Sequence, residues 1–115
     1  MIDKLLGLQT QLRMLHWGTN SYAEHKALGK AYEGLDGLID TFVETWMGIH
    51  GKDLKVARLE LRPYTPGAAE KLLDQAVLFL TGELNNTITH NTDLLNIRDE
   101  MLGLIHHTKY LLTLK

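Results

Sequence analysis

Apolar residues recur at helical spacing along most of this chain, and the places where that spacing fails decide how it can fold. Residues 2–17 carry Ile2, Leu5, Leu6, Leu8, Leu12 and Leu15, one face of a helix. Gly18-Thr19-Asn20 interrupts the pattern. Ser21 followed by Glu24 is a capping box, so a second helix begins near Tyr22. Its stripe runs through Leu28, Tyr32, Leu35, Ile39, Phe42, Val43 and Trp46 and ends near Gly51, which is placed as a C-terminal cap. Thr65-Pro66 supplies an N-cap and a first helical position for a third helix, with Leu72, Leu73, Ala76, Val77, Phe79 and Leu80. That pattern weakens after Gly82, and the polar stretch from Asn85 to Asn91 reads as a connection. A fourth helix starts at Thr92 and carries Leu94, Leu95, Ile97, Met101, Leu104, Ile105, Leu111 and Leu112.

Residues 52–64 separate the second helix from the third, and a short helical turn and an ordered crossover both fit them. No segment alternates as a strand does. The expectation is all-α: a single four-helix domain over residues 1–115, with one long crossover between helices two and three, as in ferritin-like bundles. The chain's 115 residues and 44% hydrophobic content allow one modest core. A net charge of -2 disfavours nucleic acid as a partner. No apolar run reaches the roughly eighteen residues a bilayer requires, so no membrane partner is expected. The absence of cysteine removes disulfides and thiolate chemistry. The opening residues lack the basic start and apolar core of a signal peptide, which makes cytoplasmic the expected location.

His16-Trp17, His25, Asp40 and Glu44 are the candidates for chemistry. Two imidazoles and two carboxylates suit a redox-active metal such as iron or manganese. If the second stretch is one helix, His25 and Asp40 lie roughly 22 Å apart along its axis, too far for one ion within one chain. A second copy packed antiparallel closes the gap, so the pattern predicts a metal site and a two-fold homodimer together. The short turn after the first helix puts His16 and His25 at one end. Gly29, Gly34 and Gly37 surround the midpoint of the second helix. Each costs about 0.5–1 kcal/mol relative to Ala, and close approach of another backbone is the expected compensation. The plainer readings stand beside these: His16 as a surface or capping residue near a helix end, Trp17 as a core or interface anchor, His25 as an exposed residue of a first helical turn, and Asp36, Asp40 and Glu44 as a solvated helix face.

The string Leu15-His16-Trp17, then His25, then Asp40-x-x-x-Glu44, resembles the Dps-type mini-ferritins. That resemblance implies His16, His25, Asp40 and Glu44 as iron ligands, di-iron or mono-iron, with zinc or manganese as alternatives. It implies Trp17 as the residue flanking the centre. The implied activity is that of a ferroxidase: Fe(II) oxidation by peroxide or dioxygen between two-fold-related subunits, with iron storage if a larger cage forms. The chain departs from the family pattern at Gly29, where a carboxylate is usual, in a shorter loop between the histidines, and in lacking a lysine-rich tail. Its overall shape is expected to look more like the trimmed, ferritin-like proteins of some phage genomes than a full cage-forming member. The missing carboxylate favours a rival, a metal-free helical oligomeric interaction protein.

Elsewhere, Asp93, Glu100 and His107 share a face of the last helix, and Glu100 is a secondary ligand candidate. His50, His106 and His107 fall where a helix C-terminus favours a cation. His90 falls in the expected loop. Lys52, Lys55, Arg58 and Arg62, interleaved with Asp53 and Glu60, read as a solvated surface.

Overall fold

The computed structural model describes residues 1–52, 54–55 and 58–115; Asp53, within the charged cluster of the crossover, lies outside them. Five helices account for the regular structure of the described residues: α1 (Ile2–Gly18), α2 (Tyr22–His50), α3 (Ala68–Thr81), α4 (Glu83–Ile88) and α5 (Thr92–Leu112). Helix α2 starts as its sequence dictates, with the Ser21 hydroxyl accepting from the Glu24 N–H at 3.2 Å. The reciprocal half of the capping box does not form. The Ser21 N–H donates instead to the Thr19 hydroxyl, and the Glu24 side chain turns inward. Gly51 closes α2 at a φ of 89°, its N–H donating to the Met47 carbonyl, a left-handed conformation that favours glycine.

The long connection is an ordered crossover in its described part. It climbs along α1, with Leu59 against Gly7, Arg62 exchanging backbone hydrogen bonds with the Gln11 side chain at 2.8 Å, and Tyr64 against Gly18. Thr65-Pro66 does not open α3 as its sequence promised. The Ala68 N–H donates to the Thr65 carbonyl, and Gly67 sits at φ 82°, ψ -6°. Proline then glycine with positive φ is a type II turn, so α3 begins after the turn, at Ala68.

The polar stretch after Gly82 also differs from expectation. It is helical over Glu83–Ile88, because Leu84 and Ile88, one turn apart, are both fully buried. Gly82 breaks α3 from α4, and a Cβ there would lie 2.9 Å from the Leu78 carbonyl oxygen. The half-buried Arg98 holds the break together, donating to the Leu80 carbonyl at 3.0 Å and to Asn85 Oδ1 at 2.9 Å.

Helix α2 packs on α1 and α5, and α3 packs on α5 and α1, leaving α2 and α3 diagonal. Lys115, just past α5, bonds Glu24 at the start of α2 and Glu70 at the start of α3. Those three helix ends therefore share one end of the bundle. The order is up-down-down-up, which requires one connection to run the bundle's length. The core is a single cluster that includes Leu5, Leu12, Leu28, Leu35, Phe42, Leu73, Leu80, Met101 and Ile105. Among the described residues, no helix is long and apolar enough to cross a membrane.

Candidate metal-binding end of the bundle

The α1–α2 corner brings His16 and His25 together. Their rings stack with centroids 3.8 Å apart and planes 16° from parallel. Each Nδ1 reaches the other residue's backbone carbonyl: His16 to the His25 oxygen at 2.6 Å, His25 to the His16 oxygen at 2.8 Å. A carbonyl oxygen only accepts, so in the neutral ring each Nδ1 carries the proton and each Nε2 keeps a free lone pair. The His16 carbonyl belongs to the last turn of α1, where intrahelical donors run out, and His25 supplies the missing one. Tyr32 meets the His16 ring edge-on at 5.3 Å.

Gly29 is explained by the same pair. A Cβ there would lie 2.8 Å from His16 Cε1, so the ring occupies the space a side chain would take. Gly34 faces Leu104 of α5, 2.8 Å from where its Cβ would be, and only Gly37 of the three opens on empty space. The expectation that all three glycines admit another backbone is therefore corrected: two of them make room for side chains of their own chain.

Beside the imidazoles lies a cleft of about 540 Å³, lined in part by Lys26, Lys30, Glu33, Leu111 and Leu114. Sequence reasoning gave none of these residues a part in the site: Lys26, Lys30 and Glu33 follow His25 and Gly29 along α2, whereas Leu111 and Leu114 arrive from the far end of the chain, in and just past α5. Asp40 and Glu44 are exposed, further along the uninterrupted α2 and away from the histidines. Among the described residues, no three His, Asp or Glu side chains converge as a metal site within the chain. Trp17 is 68% exposed and does not anchor the core. Asp36 accepts from Gln9 Nε2 at 2.7 Å. Asp93, Glu100 and His107 stay exposed, as does His50, whose ring lies tilted against Trp46 with centroids 3.9 Å apart.

Glu24, read only as a capping residue, is 1% exposed. Burial pushes its carboxyl up, but the Lys115 ammonium and the Tyr64 and Thr19 side chains outweigh burial and hold it below its ordinary value of 4.5. Lys115 is raised above its ordinary 10.5 by bonds to Glu24 and then to Glu70. Glu24 Oε1 has no partner of normal hydrogen-bond geometry.

A protein of Enterobacteria phage T4, described as an uncharacterized 14.6 kDa protein of the mobD-ri intergenic region, is 29% identical over 123 residues. The match covers 98% of this chain and 88% of the relative. No solved structure matches. The resemblance to Dps-type mini-ferritins is overturned by these relationships, which lead to a phage protein and to a family with no ferritin description. Two histidines, a tryptophan, an Asp and a Glu in that order are too few residues to carry a family by themselves. The family match spans residues 16–112, the histidine pair and all of α2 to α5 included, and the chain belongs to this family of unknown function, DUF5856.

Proposed function

We propose that the protein binds a divalent transition metal at a site shared by two copies, with His16 and His25 from one and Asp40 and Glu44 from the other. The observation that carries this reading is the reciprocal histidine clamp. Each ring is fixed through Nδ1 to a backbone carbonyl, the outer contact that metal-binding histidines commonly make, and each Nε2 is free. Two neutral nitrogens and two anionic oxygens suit Fe(II) and favour its oxidised form. Two such sites per dimer release two electrons, the number peroxide takes up, with two protons, in becoming water. Manganese and zinc suit the same donors.

Calorimetry with Fe(II) under argon, and with Zn(II), tests the site. Roughly one ion per chain is expected, with affinity lost in His25→Ala and in Asp40→Ala alike. Unchanged stoichiometry in both variants refutes it. A second reading, a metal-free self-associating protein, is favoured by the same clamp, because closing the α1–α2 corner is sufficient work for both imidazoles. Purified protein with no metal by elemental analysis, and no iron oxidation above the blank, selects that reading.

A further inference from the structure

Along the exposed outer face of α2 runs a stripe made of Tyr22, Lys26, Lys30, Glu33, Gly37, Asp40, Glu44 and Gly48, with Ala23, Gly34, Asp36 and Thr41 exposed beside it. Its steps of three and four residues keep it on one side of the helix. Among the described residues none of its charged members forms an ion pair. Lys26 and Lys30 are like charges one turn apart, and so are Asp40 and Glu44, an arrangement that disfavours the isolated helix.

The stripe is complementary to itself when reversed. Turned about Leu35, Lys26 falls opposite Glu44 and Lys30 opposite Asp40. Glu33 falls opposite Gly37, and Tyr22, 73% exposed, opposite Gly48. A Cβ at Gly37 or at Gly48 would meet nothing within 4 Å, so both glycines leave room for the larger side chain facing them. Cations meet anions and long side chains meet glycines at every step. A two-fold axis requires that kind of self-complementarity of an interface.

We infer that the outer face of α2 is the surface on which a second copy of this chain docks, antiparallel, with the axis at Leu35. Opposed charges set the register and exclude neighbouring ones. The partner's acidic half-helix then lies along the cleft beside the histidines. The partner's Glu44 comes level with Lys26, the residue after His25, and the partner's Asp40 comes level with Lys30, the residue after Gly29, over which the His16 ring lies. The inference shares its partner copy with the metal reading but needs no metal. Lys26 and Lys30 balance the carboxylates when no ion is present.

Sedimentation equilibrium of the full chain in EDTA at low salt tests it. Wild type is expected to dimerise, more weakly as salt rises. Lys26→Glu with Lys30→Glu makes the stripe wholly acidic, and Asp40→Lys with Glu44→Lys makes it basic apart from Glu33. Each double variant is expected to weaken self-association by at least roughly tenfold, and an equimolar mixture of the two to restore it. Gly37→Tyr, which a monomer has room for, is expected to weaken the dimer while circular dichroism keeps its helical signal. A wild-type chain that stays monomeric, reversal variants that associate like wild type, or a mixture that fails to pair overturns the inference. A dimer that passes these tests and binds no metal leaves it standing and defeats the metal reading alone.

Discussion

Glu24 and His25 are neighbours in sequence at the same end of the bundle, yet they use their polar atoms in opposite ways. Glu24 is buried and its carboxylate is committed to Lys115, which also holds Glu70. His25 is half-buried, and it bonds a backbone carbonyl through Nδ1 while Nε2 stays free. The first arrangement ties α2, α3 and α5 together through one carboxylate oxygen and shuts the other, Oε1, away from solvent. The second fixes a ring while keeping a donor available. The difference separates a residue that holds the fold from one equipped to bind, although both are polar groups in the first turn of one helix.

The largest expected effect breaks the first side of that contrast. Lys115→Met strands a carboxylate that is 1% exposed. Removing one partner of a buried pair costs about 3–5 kcal/mol. Lys115 is partly exposed, at 29%, so solvent screening reduces the expected loss to about 2 kcal/mol. Urea denaturation at neutral pH measures it. The pH dependence follows from the direction of the shift. Glu24 has a lowered folded pKa, so the stability it contributes is fully present above its ordinary 4.5 and is lost as pH falls through the depressed folded value. Lys115 is raised, so its share is fully present below 10.5 and is lost as pH rises through the folded value. Wild type therefore loses part of its advantage over Lys115→Met below pH 4.5.

Gly29→Ala acts on the other side of the contrast and is smaller. The new Cβ meets a ring fixed by a carbonyl on one side and a stacked imidazole on the other. Alanine gains up to about 1 kcal/mol of helix propensity, and displacing the ring forfeits a hydrogen bond of similar size. Net stability is expected to stay within about 1 kcal/mol of wild type, while metal affinity falls because the His16 Nε2 no longer has a fixed direction. A Gly29→Ala protein with wild-type affinity would show that the clamp has no part in binding.

What the sequence made legible follows the reach of each interaction. Both ends of α2 were readable because Ser21 and Gly51 act within a few residues of themselves. The type II turn at Thr65–Ala68 was misplaced because proline and glycine suit both a turn and a helix start, and the positive φ at Gly67 decided between them. α4 was missed because Asn and Thr dominate its composition, while Leu84 and Ile88 are helical only through the core they meet. At the candidate site, the pairing of His16 with His25 followed from a short turn. Their exchange of carbonyl bonds, and the inward course of Glu24, depend on tertiary neighbours that no local pattern announces. Gly34 had the same limitation, since Leu104 lies seventy positions along the chain.

Trp17 gives the smallest expected change in stability and the cleanest separation of folding from binding. Its neighbour His16 is held by α2, whereas Trp17 is 68% exposed. Exposed substitutions away from special features change stability by no more than about 0.5 kcal/mol, so Trp17→Ser is expected to unfold with wild-type urea dependence. The chain's other tryptophan, Trp46, is half-buried against His50 and serves as an internal reference. If a redox-active ion settles beside His16, emission from Trp17 is quenched on titration with Fe(II) or Cu(II), and Trp17→Ser loses that component without losing metal stoichiometry. Equal quenching in wild type and Trp17→Ser places the ion elsewhere and removes the free imidazole nitrogens from the account of binding.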